Sequence, residues 1–300
     1  MAEKISVVIP VVNNANKIGK CLESVLNQSI RPYEVIVVDG HSTDGTADVV
    51  TGFPAKLFFE DYHTRAGALK VGIDNSMGDL IAFTDSDCIA DNQWLKYLTQ
   101  ELVDGVAGVG GRFEDIGASL WTRSLNLTFK TPFSGARSRW ADRRVMKNLS
   151  VCGANGMCRK EDILKAGGFD PAFEAAEDLE FGKRLGKLGK LVYTPNAVVY
   201  HDHSRGLLAF AKLAYRYGRH RRESQLWDAQ ALFALVSPIL LLSGIIALYL
   251  VVIIALGITT AISQKNPVYV FSTPVSFFVQ HSLFIIGFWK QTLFPRKGKK

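Results

Sequence analysis

An apolar run that stops on two carboxylates constrains this chain more than any other feature. It reads Leu80-Ile81-Ala82-Phe83-Thr84-Asp85-Ser86-Asp87-Cys88. Apolar residues on both faces are typical of a strand inside a parallel sheet. At its end, Asp85 and Asp87 are expected to point to the same side, since strand side chains alternate with period two. A divalent cation held by oxygen ligands would offset the two charges, and a plain acidic turn is the alternative.

Strand-like and helix-like segments alternate around this run. Strands are predicted at 5–10, 34–39, 55–59 and 80–84, and helices at 15–27, 47–50 and 66–75, the second helix with Thr43 or Asp44 as its N-cap. This order predicts βαβ units and a mostly parallel sheet with flanking helices. Ligands of such sheets lie beyond the carboxyl ends of the strands, where Asp39 and Asp85 fall. No G-x-G-x-x-G follows the first strand, so we expect a nucleotide but not a nicotinamide dinucleotide.

The C-terminal part of the chain is apolar. Asp, Glu, Lys and Arg are absent from the 36 residues between Asp228 and Lys265, and from the 24 between Lys265 and Lys290. About 20 apolar residues span a bilayer, so we predict two transmembrane helices, near 232–262 and 268–289. Pro238 is expected to separate an interfacial piece from the first span. A buried helix pair of a soluble protein is the alternative.

The distribution of charge predicts which side of the membrane each part of the chain faces. The formal net charge is +7, which indicates an anionic partner such as a nucleotide or a phospholipid. Basic clusters at 216–222 and 290–300 flank the two apolar stretches, whereas the link between them carries only Lys265. By the positive-inside rule, both clusters and the N-terminal domain are expected in the cytoplasm. We expect no signal peptide, and the spacing of the four cysteines is not of a metal-binding type, which fits a reducing compartment.

Six short motifs follow one another between residues 4 and 205. They are Ser6-Val7-Val8-Ile9-Pro10; Val37-Val38-Asp39 with Ser42-Thr43-Asp44-Gly45-Thr46; Arg65-Ala66-Gly67-Ala68-Leu69-Lys70-Val71-Gly72; Thr84-Asp85-Ser86-Asp87; Gly153-Ala154-Asn155-Gly156; and Gly167-Gly168-Phe169-Asp170 followed by Ala176-Glu177-Asp178-Leu179-Glu180. In this order they resemble the inverting glycosyltransferases of family 2, which have the GT-A fold. The resemblance implies an α/β nucleotide-sugar-binding domain at 1–228, before the transmembrane hairpin at 229–293 and a basic cytoplasmic tail at 294–300.

The resemblance also implies a role for each matching residue. Nucleotide-sugar binding is expected of Pro10, Val12, Asn13, Asp39, Arg65, Asp85 and Ser86, with Asp39 accepting a hydrogen bond from the base and Arg65 approaching the diphosphate. Mn²⁺ or Mg²⁺ is expected on Asp87, with Asp85 nearby and His201 or His203 as a further candidate ligand. Asp178 is the expected general base, beside Glu177, and Asn155 and Gly153 are expected on the acceptor side. A UDP-linked donor is favoured over a GDP-linked one.

The motifs depart from the family pattern at several positions. Asn14 stands where a carboxylate is usual, Gly40 replaces a second Asp, and Lys70 replaces Asn. These changes concern contacts to the base and ribose. The Gln-x-x-Arg-Trp signature of processive synthases does not follow Glu177-Asp178, which favours transfer of a single sugar.

Two segments bear on the acceptor. Residues 119–149 and 205–228 combine aromatic and basic side chains and are expected to face the membrane or the acceptor. A carboxylate base suits a hydroxyl acceptor, because a phosphate acceptor is already ionised. We therefore predict transfer to a lipid-linked acceptor at the cytoplasmic membrane face. The alternatives are a polyprenyl-phosphate sugar synthase, an inactive nucleotide-binding membrane subunit and a transporter component, while nucleic-acid binding is disfavoured by the transmembrane spans.

Overall fold

The computed structural model describes residues 3–116, 120–129, 153–202, 206–223, 229–242 and 246–295. The described strands are β1 (Ile5–Val11), β2 (Glu34–Asp39), β3 (Lys56–Phe59), β4 (Leu80–Thr84), β5 (Cys88–Ala90), β6 (Val106–Asp115), β7 (Asn155–Arg159) and β8 (Lys190–His201). The described helices are α1 (Ala15–Leu26), α2 (Thr46–Thr51), α3 (Arg65–Asp74), α4 (Trp94–Glu101), α5 (Leu120–Phe129), α6 (Lys160–Lys165), α7 (Glu177–Leu185), α8 (Leu207–Glu223), α9 (Ala229–Leu242), α10 (Ile246–Ser263) and α11 (Tyr269–Leu293). The described residues fall into two compact units, one within Met1–Ile116 and Ser138–Asp202, and the other within Gly117–Arg137 and His203–Lys300.

One mixed sheet organises the first unit, with the strand order β3-β2-β1-β4-β7-β6-β8-β5. Strands β1 to β4 pair in parallel, as the alternation of strands and helices predicts. Strand β7 is antiparallel to both of its neighbours, and β5 is antiparallel to β8, so the other half of the sheet is mixed. The parallel half directs the ends of β1, β2 and β4 to one edge.

Alternating side chains of the central strands fill two hydrophobic layers. On one face, Val7 and Ile9 of β1 pack with Leu22 of α1 and Trp94 of α4. On the other face, Val8 packs in the cluster formed with α3, α6 and α7. This period-two division explains the continuous apolar runs, because a strand covered on both faces needs apolar side chains at every position.

Two local predictions are wrong. Asp85 and Asp87 do not continue β4: they lie in a turn, closed by the Cys88 N–H donating to the Asp85 carbonyl at 3.0 Å, which connects β4 to β5. Period-two alternation therefore does not determine where these carboxylates point. The N-cap of α2 is Gly45, with φ +86°, and not Thr43 or Asp44. Asp44 nevertheless contributes there by accepting from the Thr46 N–H at 3.1 Å.

The second unit is helical. Helix α9 continues through Pro238 to Leu242, so the expected separation at that proline is wrong. Among the described residues, one helix, Tyr269–Leu293, is long and apolar enough to cross a membrane, and Ala247–Ser263 forms a shorter apolar helix. The apolar C-terminal helix fits membrane association, while the predicted two-span hairpin is not confirmed. Residues 120–129 of the segment 119–149 form α5, and the other residues of this segment lie outside the described residues.

Helix α8 lies within the aromatic and basic segment 205–228 and packs closely on α11 within this unit. A β-carbon at Gly218 would overlap the Phe284 carbonyl, and one at Gly287 would overlap the Tyr215 carbonyl. Small residues thus allow the two backbones to approach closely, as in many membrane helix pairs.

Candidate functional site

Loops at the carboxyl ends of β1, β2 and β4 are joined by side-chain hydrogen bonds. Asn13, with φ +50°, donates its N–H to Ser42 Oγ at 2.7 Å and accepts from the Thr43 N–H at 2.8 Å. Asn14 Nδ2 donates to Ser86 Oγ at 2.7 Å, which connects the first loop to the turn after β4. The structure therefore gathers three of the predicted motifs at one edge of the sheet.

Asp39 ends β2 at this edge and is fully buried. Its Oδ1 accepts from both the N–H and the Oγ–H of Ser42, at 2.8 and 2.7 Å. Its Oδ2 has no hydrogen-bond partner among the described residues. A buried carboxylate oxygen without a partner costs free energy, so this atom is ready to accept a hydrogen bond from a ligand.

Arg65 connects two carboxylates that are far apart in the sequence. Its Nε and Nη2 donate to Asp85 Oδ1 at 3.0 and 2.6 Å, and its Nη1 donates to Glu177 Oε1 at 2.7 Å. Arg65 is the first residue of α3, whose N-cap Thr64 accepts from the Gly67 N–H at 3.0 Å. The helix start thus fixes the guanidinium between Asp85 and Glu177, and we name these three residues the Arg65 triad.

Glu177 and Asp178 open helix α7 and are both buried. Ala176 precedes them with a left-handed backbone, φ +61°, which turns the chain into the helix. Burial raises the pKa of Glu177, Arg65 opposes that rise, and the neighbouring Asp178 adds to it. Asp178 Oδ1 accepts from the Leu179 N–H at 2.9 Å. Positive potential at a helix N-terminus favours carboxylates in this place.

Asp87 contacts the end of β8. Its Oδ1 lies 3.0 Å from His201 Nε2, and the Asp87 carbonyl accepts from the Asp202 N–H at 3.0 Å. Asp202 also forms a 3.1 Å ion pair with Lys17 of α1. This geometry fits a divalent cation, because two adjacent ligands of an octahedral Mg²⁺, each at about 2.1 Å, lie about 3 Å apart.

Sequence reasoning did not identify Cys88 as part of this cluster. Asp87, Cys88 and His201 each offer one ligand atom, and the three atoms lie within 4.8 Å of one another. Cys88 pairs directly with His201 in the antiparallel β5–β8 ladder. The only sequence signal for it is its position after Asp87, because the pairing of β5 with β8 is not visible in the chain order. His203, the second candidate ligand, lies outside the described residues.

The remaining predicted residues lie in or next to strands β1 and β7. Pro10 is buried inside β1, while Val12 follows that strand and is 59% exposed. Asn155 begins β7 and is buried, with its Oδ1 accepting from Trp94 Nε1 at 2.8 Å and its Nδ2 donating to the carbonyls of Arg112 and Ala197. Asn155 therefore stabilises the sheet interior in this structure, and Gly153 lies two residues before it.

Comparisons with known proteins agree on one family. The family model described as glycosyl transferase family 2 matches residues 6–165. The chain is 30% identical over 314 residues to a dolichyl N-acetyl-alpha-D-glucosaminyl phosphate 3-beta-D-2,3-diacetamido-2,3-dideoxy-beta-D-glucuronosyltransferase of Methanococcus voltae, covering 95% of this chain and 96% of the relative. It is 28% identical to glycosyltransferase AglE of Haloferax volcanii, covering 74% of each.

A solved structure shares the fold. The mannosyltransferase PcManGT from Pyrobaculum calidifontis, in complex with GDP-Man and Mn²⁺, superimposes with a TM-score of 0.63 at 18% identity, over 99% of this chain and 89% of the other. The predicted GT-A fold is thereby confirmed. The predicted preference for UDP over GDP finds no support.

Proposed function

Because this chain belongs to glycosyl transferase family 2, we propose that it transfers one sugar from a nucleotide-sugar donor to a lipid-linked acceptor, with a divalent cation and inversion at the anomeric carbon. The observation that carries this proposal is the gathering of Asp39, the Arg65 triad and the Asp87–His201 pair at one edge of the sheet. Such an edge is the usual ligand position of an α/β sheet.

The donor's base is proposed to bind at Asp39. The partnerless Oδ2 of Asp39 can accept the ring N–H that both uracil and guanine carry. The hydrogen bonds of Asn13 with Ser42 and Thr43 hold the adjacent loops in place. Since Oδ2 suits either base, the donor test includes both UDP-linked and GDP-linked sugars.

Asp87 and His201 are proposed to hold the cation. A bound Mn²⁺ or Mg²⁺ would supply the positive charge that stabilises the departing diphosphate. The ion pair of Lys17 with Asp202 and the hydrogen bond from Asp202 to Asp87 keep the end of β8 against the turn. Asp85 is neutralised by Arg65 and is proposed to contact the nucleotide sugar rather than to be the main ligand of the ion.

Asp178 is proposed as the general base that removes the acceptor's hydroxyl proton. The carboxylate of Glu177 is held by the Arg65 guanidinium, whereas Asp178 lies one residue further into the first turn of α7. A positioned carboxylate on the face of the sugar opposite the diphosphate gives single displacement and inversion.

The acceptor is proposed to be a polyprenyl-phosphate-linked sugar. The M. voltae relative is named as a transferase that acts on a dolichyl-phosphate-linked sugar. A lipid-linked acceptor places the reaction at a membrane, which agrees with the apolar helix α11 and the basic helix α8. We propose that 229–293 anchors the protein and that the catalytic unit lies in the cytoplasm.

Transfer assays test this proposal on the full chain in detergent. UDP-linked and GDP-linked sugars are offered with Mn²⁺ or Mg²⁺, and with either a polyprenyl-phosphate glycoside or bare polyprenyl phosphate. We expect transfer to the glycoside, with the stereochemistry inverted in the product. A product formed only from bare polyprenyl phosphate, recognised by its cleavage in mild acid, would contradict the proposed acceptor.

Two variants test the assigned residues against one control. Asp87→Ala should lose cation binding and transfer together, whereas Asp178→Asn should keep nucleotide binding and lose transfer. Asp74→Asn, which removes an exposed carboxylate of α3, should behave as wild type. Full transfer by Asp178→Asn to a hydroxyl acceptor would exclude Asp178 as the base, and unchanged Mn²⁺ binding by Asp87→Ala would exclude Asp87 as a ligand.

A further inference from the structure

The cluster of Asp87, Cys88 and His201 offers three different ligand atoms: a carboxylate oxygen, a thiol sulfur and an imidazole nitrogen. A carboxylate and an imidazole suit Mn²⁺, but a thiolate is a soft ligand that favours Zn²⁺ over hard ions. Cys88 is therefore the group that the proposed transfer reaction leaves unexplained.

Strand pairing holds the cysteine in reach of the other two groups. Cys88 and His201 are direct partners in the β5–β8 ladder, and directly opposite residues have β-carbons about 4.5–5.5 Å apart. Cys88 Sγ lies 4.0 Å from Asp87 Oδ1, which in turn lies 3.0 Å from His201 Nε2. In a tetrahedral zinc site, such ligand atoms are about 3.3–3.6 Å apart, so atoms that all lie within 4.8 Å of one another would have to approach by roughly 1.3 Å at most for any pair.

The exposure of the three side chains indicates how an ion would reach the cluster. Cys88 is 1% and His201 is 6% exposed, while the Asp87 side chain is 22% exposed. An ion would therefore enter past the carboxylate and reach the sulfur last. The remaining positions of a three-ligand site stay open to water or to an oxygen of the diphosphate.

We propose that Cys88 completes a mixed carboxylate–imidazole–thiolate site that binds Zn²⁺ without nucleotide and thereby excludes the hard cation used in transfer. The competition with the cation of transfer rests on the proposed function, but the occupation of the site by Zn²⁺ does not. On binding, the Cys88 thiol gives its proton to water and its sulfur forms the bond to the ion, with no change of oxidation state.

Hard ions use the same cluster differently. Mg²⁺ and Mn²⁺ prefer oxygen and nitrogen ligands, so they are expected to bind Asp87 and His201 and to leave the sulfur without a bond to the ion. Zinc should therefore inhibit transfer by competing with Mn²⁺, and the inhibition should weaken when the sulfur is removed.

Cobalt absorption tests the thiolate directly. The full chain, in detergent and without nucleotide, is titrated with Co²⁺, and a near-ultraviolet sulfur-to-cobalt charge-transfer band is expected that Zn²⁺ removes. Cys88→Ala should lose the band and bind Zn²⁺ at least ~100-fold more weakly, because a direct ligand should matter at least as much as an outer-shell partner. Cys21→Ala is the matched control, since Cys21 is equally buried and donates to the Asp85 carbonyl but is not part of the cluster.

The outcomes are separable. Absence of the band in wild type, or its persistence in Cys88→Ala, overturns the proposal. Cys88→Ser retains the size of the side chain and should also lose the band, so loss in a properly folded Ser variant excludes misfolding as the cause. A band in a protein that transfers no sugar would refute the proposed function and support the zinc site. Transfer with Mn²⁺ in a protein that shows no band would support the proposed function and refute the zinc site.

Discussion

Replacing Arg65 by Met should destabilise the first unit more than any exposed ion pair could. The substitution keeps the apolar stem and removes the charge that Asp85 and Glu177 share. Breaking a fully buried ion pair costs about 3–5 kcal/mol, because the remaining charge has no partner. The side chains of Arg65 and Asp85 are 26% and 25% exposed, and that of Glu177 is 9% exposed. Solvent therefore screens part of the loss, and we expect about 2–3 kcal/mol.

Denaturant unfolding of the full chain in detergent, followed by tryptophan fluorescence, measures this loss, and Trp94, buried in the first unit, contributes to that signal. Lys70→Met is the control, since Lys70 lies on the same helix and pairs with Asp74, with side chains 40% and 50% exposed. An exposed i,i+4 pair of this type contributes about 0.3–0.5 kcal/mol. A loss in Arg65→Met no larger than in Lys70→Met would refute the reasoning.

The pH dependence of this loss is a second test. Arg65 holds down the pKa of Glu177, so its removal lets that pKa rise further above its ordinary value. The folded state then carries a costly charge once the pH exceeds the raised pKa. The deficit of Arg65→Met should accordingly be larger near neutral pH than in mild acid, and a deficit that shrinks as the pH rises would contradict the triad's electrostatics.

Three further substitutions have defined outcomes. Glu177→Gln should flatten the pH dependence of stability. The pKa of Glu177 is raised, so its stability contribution is complete below the unfolded pKa and is lost as the pH rises through the folded pKa. If the unfolding free energy from urea titrations changes with pH as steeply in the variant as in wild type, the reasoning is wrong. Asn155→Ala should cost about 2–4 kcal/mol of unfolding free energy, because it leaves the buried Trp94 N–H and two carbonyls unpaired. An unchanged unfolding free energy would mean that these groups find other partners. Gly72→Ala should cost about 1–3 kcal/mol, since its β-carbon would overlap Val8, and a thermal midpoint equal to wild type would show that α3 can shift freely.

The elements of the parallel half were predictable because their signals are local. Strands β1 to β4 are apolar runs bounded by turn residues, and each helix between them has its own amphipathic or small-residue pattern. The observed bounds of β2 and β4 equal the predicted ones, and those of the other elements differ by one residue at one or both ends. Strands β5 to β8 pair across long stretches of chain, and no local signal states which of them is antiparallel.

The site was predictable as a set of residues but not as a set of contacts. The motifs indicated Asp39, Arg65, Asp87 and Glu177, the family resemblance added His201 as a candidate, and the structure brings them to one edge. The ion pair of Arg65 with Glu177 depends on where α7 starts relative to α3, and the pair with Asp85 depends on the turn after β4; both are tertiary properties. The same holds for Cys88, whose partner His201 is 113 positions away in the chain.

The turn after β4 explains how two carboxylates one residue apart can have separate tasks. On a continued strand, Asp85 and Asp87 would share one side, and each would raise the pKa of the other. The turn brings Asp85 to the Arg65 guanidinium, which Asp85 shares with Glu177, and brings Asp87 to His201. The cation that we propose therefore lies on the Asp87 side, next to Cys88 and His201. A cation site with a single carboxylate has room for a third, softer ligand, and the neighbouring thiol is the group placed to supply it.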